Sequence, residues 1–388
     1  MKLYFISWGL LLIAICISCE ELSDSFALPK NFELKMVNAL FRHGDRTPHP
    51  FYYETYPKDP FANETYFPMG YGALTNKGKL RAFELGTFLR RRYNQFLGTT
   101  YIPEDIYARS TQIDRAQMTL LLVLAALYPP DALQKWEPTL NWQPIPITYE
   151  KADDDVLLFA RKCPKFMKMF EEIEKLDEVK QLFVKYEPLA TNLTKLTGKN
   201  VNSPSEIFNF FNLLDCQESM NLSYPIWAKE TLLANKDFQE AVDVLEKMRN
   251  YNNALKKLNG GRLLNQITSD MVAKQIGMLK QGTKIKFYSA HDFNVNALIY
   301  ALGVTEFKRP FYCSAVILEM YSDEKNNYYV QILYYHGDTK KVEILEIPNC
   351  SSMCEFNKYQ ESIKNVVPIK EKLECCDNGL EHCSLNIN

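Results

Sequence analysis

The chain holds 388 residues, 46% of them hydrophobic and 13% aromatic, enough to bury a sizeable core in one or two domains. A formal net charge of −2 and a pI near 6.3 leave no excess of positive charge to hold nucleic acid or an anionic membrane. The sequence contains no internal repeat and no low-complexity stretch.

Residues 1–18 begin Met1-Lys2, continue as a short apolar stretch and end near the small residues of Ile17-Ser18-Cys19, the layout of a secretory signal peptide. A membrane anchor is the weaker reading, because the run is barely long enough and no charged stop follows it. From Leu34 to Phe41 an apolar run predicts a buried strand of a parallel sheet. That strand leads straight into Arg42-His43-Gly44-Asp45-Arg46-Thr47-Pro48, and in open α/β sheets ligands sit just past the carboxyl ends of strands. Arg42 and Arg46 offer planar forks that match phosphate oxygens and stay charged at any working pH, with a nucleophilic imidazole between them. A basic loop paired with carboxylates would account for one Arg-His pair, but not for this spacing directly after a strand.

Thr75 to Phe96 reads as a helix with Leu85, Phe88, Leu89, Tyr93 and Phe96 on one face. Ile106 to Ser110 is a short strand, and Thr111-Gln112-Ile113-Asp114 reads as a capping box opening an apolar helix that runs to Leu127. Arg109 then precedes a helix N-terminus, which also favours an anion; a salt bridge to Asp114 is the plainer alternative. Residues 151–259 turn helical, with Phe166, Met169, Phe170 and Ile173 on one face and Phe208, Phe211 and Leu214 on another. This insertion is placed to form a cap over the crevice, its aromatic residues serving as core.

Thr283 to Ser289 predicts another strand, ending at Ala290-His291-Asp292 and a helix from Asn294 to Leu302. Taken alone, Asp292 would merely cap that helix. Two runs, Ser314 to Tyr321 and Tyr328 to Tyr335, predict an antiparallel hairpin at the sheet's far edge. The eight cysteines outside residues 1–19 are an even number, which reads as disulfides in an exported chain with the pairing left open. Asn63, Asn192 and Asn221 open glycosylation sequons.

Other phosphate chemistries leave marks that are absent. No cysteine has an arginine six residues on, as a thiol mechanism needs, and Asp153 to Leu157 fails the aspartyl-phosphate pattern at its last position. Beyond His43 and His291, the remaining His49, His336 and His382 show no ligand spacing, so neither a metal nor another cofactor is expected.

Together, the three strand ends carrying Arg42/His43/Arg46, Arg109 and His291/Asp292 resemble the histidine acid phosphatases of the prostatic, lysosomal and insect venom branch. The resemblance also covers Gly72-Ala73-Leu74-Thr75 with Gly78, Leu85-Gly86, and the run Arg109-Ser110-Thr111 with Asp114-Arg115 after it. It departs at Arg81, where glutamine is usual in the vertebrate relatives; this departure is expected to change only local surface charge. The resemblance implies a phosphoglycerate mutase-like α/β fold, a mixed sheet flanked by helices with an inserted all-helical cap. On that reading residues 30–150 and 260–388 form the discontinuous α/β domain and residues 151–259 the cap.

The resemblance further implies His43 as nucleophile, Asp292 as general acid, and Arg42, Arg46, Arg109 and His291 as phosphate ligands. It implies disulfides Cys216–Cys313, Cys350–Cys354 and Cys163 with Cys375 or Cys376, with Cys383 joining whichever of that adjacent pair is left. A homodimer is left open. The expectation is a secreted, extracellular acid phosphatase acting on small phosphomonoesters, with no nucleic-acid or membrane partner. The alternative is a secreted small-ligand-binding protein on the same scaffold with little turnover, and a phosphate-transferring mutase fits export and disulfides poorly.

Overall fold

The computed structural model describes residues 28–49, 54–223, 225–228, 236–279, 282–305, 309–368 and Cys375. The expected signal peptide, Cys376 and Cys383 lie outside the described residues.

Strand β1 (Glu33–Arg42) is buried on both faces, as its nearly unbroken apolar sequence requires. It pairs in parallel with β3 (Ile285–Ala290), which pairs in parallel with β2 (Ile106–Ser110). On its other side β1 runs antiparallel to β4 (Ala315–Ser322), followed by β5 (Tyr328–Tyr335). The short β6 (Val342–Ile344) and β7 (Cys354–Glu355) both pair with β5. The sheet order is β2-β3-β1-β4-β5-β6, so the predicted hairpin forms but neither of its strands is at the sheet's edge, since β6 and β7 pair beyond β5.

Side-chain alternation along these strands builds a core on each face. Val37, Ala39, Phe41, Ile285, Phe287, Ala315 and Ile317 face α1 (Asn76–Leu97) and α2 (Asp114–Leu127). Met36, Leu40, Tyr288, Val316 and Leu318 face the opposite layer, into which α9 (Gly260–Gln275) and α10 (Asp292–Ala301) pack Ile267, Met271, Leu298 and Ile299. A third apolar cluster lies in the inserted helices, chiefly α3 (Pro164–Lys175), α4 (Asp177–Val184), α5 (Glu187–Thr197), α6 (Pro204–Ser219), α7 (Lys236–Arg249) and α8 (Asn253–Leu258). Each fully buried Leu, Ile or Phe in these clusters contributes roughly 1.5–3 kcal/mol.

A disulfide joins Cys163, just before α3, to Cys375, and another joins Cys350 to Cys354. The expected Cys216–Cys313 bond is absent; both are buried free thiols. The turn before β4 explains this: Cys313 has a positive φ of 57° and packs into the α1/α2 core, while its neighbour Tyr312 turns the other way and meets Cys216 at 3.4 Å. No helix among the described residues is long and apolar enough to cross a membrane.

Candidate active site

The three parallel strands end nearly level, since Arg42 is opposite Ala290 and Ser110 is opposite Ser289. The antiparallel β4 starts at that same edge, bringing residues 309–314 beside the end of β1; Arg42 N–H donates to Ser314 O (3.0 Å). A cleft of about 330 Å³ opens there, lined by Arg42, His43, Arg46, Arg115, His291 and Asp292 and roofed by Phe208, Asn212 and Arg249 of the inserted helices.

His43 is 3% exposed. Its Nδ1 lies 2.8 Å from Gly44 O, and since a carbonyl only accepts, Nδ1 carries the proton and Nε2 presents its lone pair. Gly44 and Gly78 hold this loop against α1: a Cβ on Gly44 would meet Gly78 O at 2.4 Å, so only glycine admits the approach. Thr75 caps α1 there by accepting from Gly78 N–H (3.1 Å) and donating to Asp45 O (3.1 Å). Burial, then the positive charge of Arg115, the neighbouring His291 and Arg42, lower the His43 pKa well below the ordinary histidine value.

Arg42 lies over the Tyr312 ring at 3.9 Å, donates to Pro310 O (3.0 Å), and has Nη2 at 3.5 Å from both Asp215 and Asp292. Arg46 forms a two-pronged pair with Glu54 at 2.7 and 2.6 Å. Burial alone would raise the Glu54 pKa, but Arg46 outweighs it and holds the carboxylate ionised. His291 places Nε2 3.1 Å from Thr111 Oγ1 and stacks on Phe293.

Arg109, near the end of β2, pairs through Nη2 with the buried Asp155 at 2.7 Å and keeps its own Nε as a buried donor without a partner, while Arg115 lines the cleft. Helix α2 starts at Asp114 with Ile113 as its cap, and the Thr111 hydroxyl expected to cap it is engaged with His291. Arg115 stands in the first turn, at the cleft wall. Arg115 donates to Gly72 O (3.3 Å), and the Nε donors of Arg115 and Arg42 are among the buried ones without a partner. Burial, reinforced by Arg46, pushes the Arg115 pKa down to about 10. The cleft is thus a place where positive charge is under-compensated.

Asp292 begins α10, its Oδ1 accepting from Phe293 N–H (2.9 Å) and its Oδ2 2.6 Å from Arg309 Nη2. Burial opposes ionisation, but Arg42 and Arg309 prevail and hold its pKa well below the ordinary carboxylate value. Arg81 also departs from its expectation as surface charge. It pairs with the fully buried Asp45 at 2.7 Å and donates to Gly337 O at 2.5 Å, so it fixes the loop between His43 and Arg46.

The structure therefore brings together Arg42, His43, Arg46, His291 and Asp292, and adds Arg115, Glu54, Asp215, Arg309 and Tyr312, which sequence reasoning did not assign. Only Arg115 had a visible signal, as part of the run following Arg109. Among the described residues no group of three or more His, Cys, Asp or Glu is arranged to hold a metal.

The chain is similar to known proteins over most of its length. The chain is 36% identical to venom acid phosphatase Acph-1 of Apis mellifera over 92% of this chain and 91% of the relative. It is 34% identical to human prostatic acid phosphatase over 88% of each chain, and 33% identical to bovine lysosomal acid phosphatase over 88% of this chain and 80% of that one. In fold it is similar to Hafnia alvei phytase in complex with tartrate, with a TM-score of 0.68 and 16% identity over 90% of this chain and 99% of the phytase. Residues 33–335 match the family described as histidine phosphatase superfamily (branch 2), and the chain belongs to that family.

Proposed function

We propose that this protein is a secreted acid phosphatase that hydrolyses phosphate monoesters through a phosphohistidine on His43. One observation carries the reading: a buried, neutral imidazole with Nδ1 tied to Gly44 O turns Nε2 toward a cleft ringed by Arg42, Arg46 and Arg115, and Asp292 lines the same cleft. A phosphoryl group there would supply the negative charge that Arg115 lacks and an acceptor for the orphan Nε donors.

Nε2 of His43 attacks phosphorus in line; the N–P bond forms as the P–O bond to the leaving group breaks, and the leaving oxygen takes a proton from Asp292. Water then attacks the phosphorus, returns a proton to Asp292, and the N–P bond breaks to release inorganic phosphate. Arg42, Arg46, Arg115 and His291 hold the phosphoryl oxygens through both displacements. Asp292 must carry a proton to donate it, and Arg42 and Arg309 hold the free carboxyl ionised, so the first step is favoured in acid. His43 meanwhile stays unprotonated in acid, so an acidic optimum follows. Export is supported by the disulfides Cys163–Cys375 and Cys350–Cys354, which persist in oxidising compartments, and by the exposed sequon residues Asn63 and Asn221.

The test is release of p-nitrophenol from its phosphate at pH 5 by wild type and His43→Ala. Turnover that vanishes in the variant is the expected result. Tight binding of a non-phosphorylated ligand with negligible turnover by wild type would favour the binding-protein reading, and an optimum above neutrality would contradict the acid chemistry.

A further inference from the structure

The strongest unassigned feature beside the reacting groups is Arg309, which lies on the segment leading into β4. Its Nη2 sits 2.6 Å from Asp292 Oδ2 and also donates to Asn212 Oδ1 of α6, while Nη1 stands 3.6 Å from Asp215 of the same helix. Phe211 and Phe208, again on α6, flank the guanidinium at 4.6 and 5.2 Å. Arg309 therefore ties the carboxylate at the start of α10 to a helix of the inserted region. It shares Oδ2 with Arg42, and Oδ1 is occupied by the Phe293 N–H.

We propose that Arg309 is a positioning residue that holds Asp292 as the carboxylate and thereby sets the upper pH limit of leaving-group protonation. This rests on the phosphatase reading and deepens it. The charged and titratable groups around Asp292 are Arg42 and His43 at the end of β1, His291 beside it, Arg115 of α2, Asp215 of α6 and Arg309. A phosphoryl group draws the donors of Arg42 toward its own oxygens. Arg309 points to Asp292 from the helix side and is clamped by Asn212, so it stays on the carboxylate when substrate binds. Protonating Asp292 means placing a hydrogen where a guanidinium N–H already points, and the acid step then fails as pH rises. Cap and acid are coupled through this one side chain.

The test compares kcat/KM against pH for wild type, Arg309→Gln and Arg309→Lys. Two substrates are used: p-nitrophenyl phosphate, whose leaving group needs little protonation, and glycerol 2-phosphate, whose alkoxide needs it. Loss of an opposite charge this close should move the alkaline limb of Arg309→Gln upward by at least about one pH unit for glycerol 2-phosphate. The shift for p-nitrophenyl phosphate should be smaller, and Arg309→Lys should restore the wild-type limb. Superimposable profiles for wild type and a folded Arg309→Gln would overturn the proposal.

A second measurement needs no turnover. Titration of 13C-carboxyl aspartate in wild type and Arg309→Gln, with Asp292→Asn identifying the resonance, should show Asp292 still ionised below the ordinary aspartate range in wild type and titrating higher in Arg309→Gln. Protonation of wild-type Asp292 within that ordinary range would also overturn the idea. Absence of turnover in wild type would instead defeat the phosphatase reading, leaving the carboxyl titration to judge the role of Arg309.

Discussion

Replacing Arg115 and Arg109 separately distinguishes a phosphate ligand from a structural cation. Among the described residues Arg115 makes no ion pair and a single hydrogen bond, to Gly72 O at 3.3 Å, and its Nε is a buried donor without a partner. Its charge is unspent until an oxyanion arrives, so Arg115→Ala should lose transition-state stabilisation of about 3–4 kcal/mol, or roughly 10²–10³ in kcat. Relief of its repulsion with Arg46 should leave stability nearly unchanged or slightly raised. Arg109→Ala should do the reverse. It strands Asp155, a carboxylate that is 1% exposed, at a cost of about 3 kcal/mol, because Asp155 keeps the N–H groups of Leu157 and Leu158. Its kcat on p-nitrophenyl phosphate at pH 5, measured well below the melting transition, should stay within about threefold of wild type, since its guanidinium is held by Asp155. If Arg109→Ala lost as much kcat as Arg115→Ala while still folded, the assignment of the third cleft arginine would be wrong.

The two cleft histidines predict a falling stability in acid. Burial holds the folded pKa of both His43 and His291 below the ordinary value of about 6.5, so the unfolded chain binds protons first as pH falls through that value. Stability should decline below pH 6.5 by up to about 1.4 kcal/mol per pH unit for each histidine. Urea unfolding at pH 7, 6 and 5 should show a shallower decline for His43→Asn, and equal declines would refute the burial argument. Peptide mapping after alkylation in denaturant without reductant should find Cys216 and Cys313 labelled and Cys163, Cys375, Cys350 and Cys354 protected; an unlabelled Cys216 or Cys313 would restore the family pairing. Arg81→Gln removes the partner of the buried Asp45 and should lower stability by about 3 kcal/mol in a thermal melt, whereas an unchanged Tm would return Arg81 to the role of surface charge.

The strands and their order along the chain were legible in the residues because apolar runs and two-residue alternation are local signals. The run from Leu34 to Phe41 and the two runs ending at Tyr321 and Tyr335 each became strands within a residue or so of their expected bounds. The cluster Arg42, His43 and Arg46 was legible for the same reason, since one turn carries all three. His291 and Asp292 needed the sheet, because only parallel pairing of β1 with β3 brings Ala290 level with Arg42.

What the sequence could not show depends on competition between partners. Thr111 can cap a helix or hold a histidine, and a sequence pattern sees only the first choice; here it holds His291 and the helix starts at Asp114. Arg309, Tyr312 and Glu54 have no local signature, because their roles arise from an antiparallel strand and a loop arriving at one edge from distant parts of the chain. Cys216 and Cys313 were paired by resemblance, yet the direction in which a turn points adjacent side chains decided otherwise. Local periodicity determined which segments form strands and helices, and the packing of those segments determined which charges meet, because a charge chooses its partner by distance in space and not by separation along the chain.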